Sequence, residues 1–253
     1  MLRFFIATIF PKVISCYCEY GIVRQAIKKG KISVLPLDLR EFAERGQVDD
    51  EAYGGVPGMV IKPEPIFRAY DHVAEKFGRP YVIVTEPWGR RIDQKLLESL
   101  KEKERILIVC GRYEGVDERV KSIADLELSL GDFVLSGGEI VALAVVEGVA
   151  RLIPGVLSEP ESLEEDSFRG GWVGYPVYTR PREFRGMKVP EVLLSGNHKL
   201  IELWKIWHRI ENTLKKRPDL VPKDLTDLER EILESIKKGV SFEEWVRSRR
   251  GTS

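Results

Sequence analysis

The sequence predicts an α/β fold built on a parallel sheet, followed by a small all-helical domain. Strand-like apolar runs at Arg3–Ile9, Ile32–Leu37, Tyr81–Thr85 and Ile106–Val109 alternate with helical patterns at about Lys12–Lys29, Pro65–Phe77 and Asp93–Lys101. Such alternation is the signature of parallel βαβ units. From Leu200 onward the pattern changes to amphipathic helices alone, at Leu200–Leu214, Asp227–Ile236 and Phe242–Arg249. Finally, 253 residues with 43% hydrophobic content suffice for one large or two modest domains with a real core, which excludes a disordered chain.

The apolar start, Met1–Phe10, reads as a buried first strand. A secretory leader is not expected, because Pro11 and Lys12 end the run early and no small-residue cleavage site follows. Loops after the strands ending at Thr85 and Val109 fall at the carboxyl edge of the sheet, where ligands bind in such folds. A helix is expected from Ser136, with Ser136 as N-cap and Glu139 completing a capping box. Ile140–Arg151 is apolar on almost every face, implying burial against sheet or partner; Glu147 and Arg151 interrupt the run Ile140–Val156, so it does not span a bilayer. The long loop at about Leu157–Gly174 is expected to be functional or mobile. Thr226 with Glu229 and Ser241 with Glu244 form two further capping boxes. The division expected is an α/β domain over 1–165, a linker and active-site loop over 166–188, and a helical domain over 189–253.

Lys and Arg number 40, as do Asp and Glu, so net charge is zero and bulk charge does not announce a nucleic acid. A local basic patch must serve if RNA binds, and Lys215, Lys216 and Arg217 are its candidates, against the plainer reading of a solvated helix face. Three sparse cysteines suit a reducing, cytoplasmic setting. The three histidines do not join them at zinc-ligand spacing. No GxGxxG follows a strand, and neither GxxxxGK[ST] nor HExxH occurs, which removes the common dehydrogenase, P-loop and zinc-protease readings.

Two glycine-rich loops remain. Gly111, Arg112, Tyr113, Glu114 and Gly115 follow the strand Ile106–Val109, and Gly131, Asp132, Phe133, Val134, Leu135, Ser136, Gly137 and Gly138 precede the apolar helix. Glycines allow close backbone approach to a ligand. Leu130, Phe133 and Leu135 can flank a flat ring such as adenine. Anionic Glu114 suits a cationic ligand better than a phosphate, and S-adenosylmethionine carries both a sulfonium and an ammonium. Each loop taken alone also reads as a tight turn before a helix.

Together with VDDEAYGG (Val48–Gly55), PGM (Pro57–Met59), CGRYEGVDERV (Cys110–Val120), LGDFVLSGGE (Leu130–Glu139), VARLIPGV (Val149–Val156), EEDSF (Glu164–Phe168), YTRP (Tyr178–Pro181) and VPEVLLSGNH (Val189–His198), these loops give the chain its resemblance to the bacterial tRNA (guanine-N1)-methyltransferases of the TrmD family, from about Phe10 to Leu220. The resemblance implies a SPOUT-class α/β fold with a deep trefoil knot, in a homodimer. It implies an S-adenosylmethionine site at Pro87, Gly89, Gly111 to Gly115, Leu130 to Leu135, Gly137 and Gly138, with Asp166 as base and Arg151 beside it. It implies tRNA as partner, no membrane, and Mg2+ as an assistant without an assigned site. The chain departs from the family where Glu86-Pro87-Trp88-Gly89 replaces Ser-Pro-Gln-Gly, and where Val56 breaks a triple glycine.

The implied chemistry suits these residue types. The target N1 of guanine is protonated at neutral pH, so a carboxylate must remove the proton as general base. Negative charge then spreads to the adjacent carbonyl oxygen, where an arginine stabilises it. N1 lies on the Watson–Crick edge, so the guanine must be unpaired or flipped, as in an anticodon loop; the family acts at position 37. The rival readings are a sister SPOUT enzyme methylating ribosomal RNA or a ribose 2′-hydroxyl, and a non-catalytic RNA-binding protein.

Overall fold

The computed structural model describes residues 1–55, 57–157, 167–168 and 171–250. It forms two compact units, Met1–Pro160 and Glu161–Ser253.

In the first unit β1 (Leu2–Thr8), β2 (Ile32–Asp38), β5 (Tyr81–Arg91), β6 (Arg105–Val109) and β7 (Leu126–Ser129) form one parallel sheet in the order β2-β1-β6-β5-β7. The expected parallel α/β architecture is present. Alternate residues feed two cores. Phe4, Ile6, Ile83, Ile106 and Ile108 face one, with α1 (Pro11–Cys18), α2 (Gly21–Lys28), α4 (Gln94–Lys101) and α5 (Glu139–Ala150). Phe5, Ala7, Val82, Val84, Leu107 and Val109 face the other, with α3 (Pro63–Phe77). Burial on both faces explains why β1, β6 and the first half of β5 read as continuous apolar runs. A short antiparallel pair, β3 (Asp49–Glu51) with β4 (Met59–Ile61), stands apart.

Three local differences from expectation have physical causes. The helix expected over Lys12–Lys29 is two helices, because Tyr20 is extended (φ −127°, ψ 164°) and Gly21, which opens α2, takes φ +59°, a conformation other residues resist. Strand β7 is too short and mixed (Leu-Glu-Leu-Ser) to give a periodic signal. The capping box at Ser136 does not form: α5 begins at Glu139 after Gly138, without a side-chain cap. Glu139 is 2% exposed and engaged elsewhere, and Ile140 is 56% exposed, so the helix is not buried on every face. Gly148 lets α5 approach α4 closely, since a Cβ there would lie 2.7 Å from Leu97 Cδ1.

The second unit contains α6 (Glu191–Leu194), α7 (His198–Lys216), α8 (Asp227–Lys237) and α9 (Phe242–Arg250). They enclose a core of Trp172, Trp204, Trp207, Ile210, Ile232, Leu233, Phe242 and Trp245. Both C-terminal capping boxes form: Thr226 Oγ accepts from the Glu229 amide at 3.2 Å, and Ser241 Oγ from the Glu244 amide at 3.3 Å. The expected linker 166–188 is not merely a connector. Trp172 is buried in this core and donates its indole N–H to Glu229 at 2.8 Å. The same stretch carries a hairpin, β8 (Glu183–Phe184) with β9 (Met187–Lys188).

Candidate cofactor cleft

Three segments leave the carboxyl edge of the sheet and enclose a cleft of about 230 Å³. The first is a bulge in β5. Thr85 and Arg90 both pair with Leu128 of β7, so residues 86–89 are displaced from the ladder. Pro87 cannot donate to a ladder in any case. The second segment, Gly111–Gly115, follows β6. Gly115 takes φ +114°, where glycine is favoured, and Tyr113 takes φ +60°. Strand β4 holds this loop: Glu114 N donates to Met59 O at 3.0 Å, and Ile61 N to Gly115 O at 3.1 Å. The third segment runs from Leu130 to Gly138 into α5.

The second and third segments are locked together. Gly138 N donates to Gly111 O at 3.0 Å, and Arg112 bridges Gly137. Thr85 Oγ1 accepts from Gly111 N at 3.0 Å and donates to Val109 O at 3.1 Å. The glycines are required by packing. A Cβ on Gly138 would run into Thr85 Oγ1 and lie 2.9 Å from Cys110 Cα; one on Gly137 would run into the Arg112 guanidinium.

Beneath the junction lies a buried polar cluster that sequence reasoning missed. Glu139 accepts from Thr8 Oγ1 at 2.6 Å and from Arg112 Nη2 at 2.9 Å. Arg112 also stacks over Phe10, 4.4 Å from the ring centroid. A lone carboxylate heading an apolar helix was the available signal, and its spacing from Ser136 disguised it as a cap.

Glu86 is a second buried acid, 5% exposed and part of the cleft wall. Among the described residues no hydrogen bond or ion pair reaches its carboxyl group. Burial pushes its pKa up to about 7, opposed by Lys121 and reinforced by Glu127 and Glu118. A Cβ on Gly115 would stand 3.9 Å from both its carboxyl oxygens. Beside it Trp88 is 67% exposed, donating to Glu127 at 3.3 Å with the Lys121 ammonium 5.1 Å from its ring.

Of the residues expected at the cofactor, Pro87, Gly111, Arg112, Tyr113, Glu114, Gly115, Leu130, Phe133, Val134, Leu135, Gly137 and Gly138 line this one cleft. Gly89, Gly131 and Asp132 do not. A Cβ on Gly89 would meet the backbone of β7, 2.5 Å from Leu128 N. Gly131 is turned by the Ser129 hydroxyl, and Asp132 points outward to Arg91 at 3.3 Å. Arg151 is the C-cap of α5. Asp166 lies outside the described residues. The basic candidates are largely neutralised by neighbours: Lys215 pairs with Glu211 at 2.6 Å, and Arg217 bonds Asp219 through two contacts of 2.9 and 2.7 Å, with Lys216 between them. Among the described residues no group of three or more His, Cys, Asp or Glu side chains is arranged to hold a metal, and no helix is long and apolar enough to cross a membrane.

The cleft fits a nucleoside cofactor with positive charge. Phe133 and Leu135 offer exposed apolar surface beside half-buried Leu130, glycine backbones approach without side chains, and a buried, unpartnered carboxyl group faces the space.

Residues 2–223 match the family model described as tRNA (Guanine-1)-methyltransferase TrmD. A relative from Aquifex aeolicus, named tRNA (guanine-N(1)-)-methyltransferase, is 71% identical over 97% of this chain and 96% of its own length. A relative of the same name from Persephonella marina is 56% identical over 97% of this chain and 98% of its own. The crystal structure of tRNA (m1G37) methyltransferase from Aquifex aeolicus superposes with a TM-score of 0.74 at 70% identity, covering 90% of this chain and 98% of that one. These matches do not favour the readings as a ribosomal-RNA or ribose methyltransferase or a non-catalytic binder. The chain belongs to the TrmD family of tRNA (guanine-1)-methyltransferases.

Proposed function

We propose that this protein transfers a methyl group from S-adenosylmethionine to N1 of the guanosine at position 37 of tRNA, in the cytoplasm and as a homodimer. The observation that carries the reading is the cleft at the carboxyl edge of β5, β6 and β7, in which two glycine loops are tied together beside a buried acid. Bound there, the cofactor supplies an electrophilic methyl group on a sulfonium. The chain's own residues do the rest. Leu130, Phe133 and Leu135 take the adenine, Glu86 and Glu114 the positive end, and Gly111, Gly115, Gly137 and Gly138 admit the backbone approach. Asp166 removes the N1 proton of guanine, and Arg151 stabilises the charge that moves onto the adjacent carbonyl oxygen.

The homodimer is supported by apolar side chains that one chain leaves in solvent. Phe10 (41% exposed), Val13 (44%), Tyr17 (38%) and Tyr20 (66%) lie on and around α1, which packs against α5, where Ile140 is also exposed. The knot is proposed on the family likeness together with the sheet order, in which β6 stands between β1 and β5. Mg2+ is carried as an assistant to the reaction without an assigned site. The domain division proposed is 1–165, 166–188 and 189–253, the middle stretch also serving the helical core through Trp172.

The test is incubation with labelled S-adenosylmethionine and unmodified total tRNA, then nucleoside analysis. The expected product is 1-methylguanosine at position 37. A 2′-O-methylated nucleoside, or label only in ribosomal RNA, overturns the reading. A monomer in sedimentation at micromolar concentration overturns the dimer.

A further inference from the structure

The strongest feature that the cleft does not absorb is the hairpin of the second unit. Its strands pair Glu183 with Lys188 and Phe184 with Met187, and the Val189 amide extends the ladder to Arg182 O at 2.9 Å. The turn residues Arg185 (φ +52°) and Gly186 (φ +77°) both have positive φ, the geometry of a tight two-residue hairpin turn. Such a short hairpin has little intrinsic stability. It nevertheless holds two opposed apolar side chains in solvent: Phe184 is 56% and Met187 66% exposed.

Its charge is one-sided. Between 180 and 188 stand Arg180, Arg182, Arg185 and Lys188 against Glu183 alone. Lys188 approaches Glu183 at 3.8 Å. Among the described residues the three arginines have no carboxylate partner, and Arg185 rests over the Phe184 ring, 5.3 Å from its centroid. This contrasts with Lys215 and Arg217, whose charges are answered within their own helix and turn. Arginine forks match phosphate oxygens bidentately. An exposed aromatic ring among arginines is the usual platform for an unpaired base.

We propose that the hairpin Arg182–Val189, together with Arg180, is an RNA-contact surface: the three arginines take backbone phosphates, and Phe184 with Met187 packs against an unstacked base. The assignment rests on the reading that tRNA is the substrate, and it moves the main grip from the basic end of α7 to this hairpin.

The test compares the full-length protein with an Arg180→Ala/Arg182→Ala/Arg185→Ala variant and with Phe184→Ala. Binding of unmodified transcript tRNA is followed by fluorescence anisotropy across a salt series. Each phosphate contact contributes about 0.7–0.9 to the slope of log affinity against log salt. The triple variant should therefore lose a slope of about 2 to 3. Phe184→Ala should bind on the order of 5- to 150-fold more weakly, the range for one lost base–aromatic stack, with its salt slope unchanged. S-adenosylmethionine affinity by calorimetry should stay at the wild-type value in both. If the triple variant melts early, the three single arginine variants replace it, each losing about 0.7–0.9 of slope. Wild-type affinity and slope in these variants, with tRNA methylation intact, overturn the hairpin assignment and leave the enzymatic reading standing. Absence of tRNA methylation by the wild type overturns the enzymatic reading instead.

Discussion

Glu86 offers the sharpest quantitative prediction, because its environment opposes its charge. Its ordinary pKa is 4.5, and burial raises it to about 7 in the folded chain. An acid whose folded pKa is raised favours the fold in its protonated form. Its contribution is fully present below about pH 4.5 and is lost as pH rises through about 7. The difference of some 2.5 units corresponds to about 3 kcal/mol of stability withheld above pH 8, at 1.36 kcal/mol per unit. Glu86→Gln removes the titration and keeps the shape. The variant should exceed the wild type by less than about 1 kcal/mol near pH 5 and by up to about 3 kcal/mol at pH 8.5, roughly 6–12 °C in melting temperature for a unit of this size. Scanning calorimetry of both full-length proteins from pH 5 to 9 measures this, since every other titrating group cancels in the difference. A constant gap between variant and wild type across that range would refute the reasoning, because Glu86 would then titrate as it does in the unfolded chain. An acid carried at such a cost suits a ligand that rewards negative charge in the cleft.

Three other substitutions test the rest of the site. Glu139→Ala strands the Arg112 guanidinium and the Thr8 hydroxyl beneath the two glycine loops, and should destabilise the α/β unit by about 3–5 kcal/mol in thermal unfolding. Gly138→Ala forces a methyl group against Thr85 and the Cys110 backbone, so it should cost about 1–3 kcal/mol of stability, with any loss of cofactor binding following from the displaced loop; wild-type melting would show that the junction yields freely. Asp166→Ala should lower single-turnover methyl transfer on the order of 100- to 10,000-fold while cofactor affinity by calorimetry remains near wild type, and retention of more than about a tenth of the rate would remove Asp166 as the base.

What the sequence revealed, and what it concealed, follows from the range of the interactions involved. The parallel sheet was legible because β1, β6 and the first half of β5 are buried on both faces and so read as unbroken apolar runs. The glycine loops were legible because close packing leaves so few residue types at Gly137 and Gly138. Strand β7 and the bulge 86–89 were not, since each is defined by a partner strand rather than by a period of its own. Glu139 shows the limit most clearly. Three residues after Ser136, it satisfies a local capping rule, yet its real partners are Thr8, 131 residues earlier, and Arg112, 27 residues earlier. A side chain of Glu139 turned back to cap Ser136 would leave Arg112 without its carboxylate and uncouple the loop after β6 from α5. The local motif is therefore overruled by the contact that joins the two halves of the cleft. Charge was misleading in the same way: the basic run at Lys215–Arg217 stands out in the sequence, but Glu211 and Asp219 answer it locally, whereas Arg180, Arg182 and Arg185, interrupted by Pro181, Glu183 and Phe184, form no contiguous run and yet keep their charges unanswered by carboxylates among the described residues.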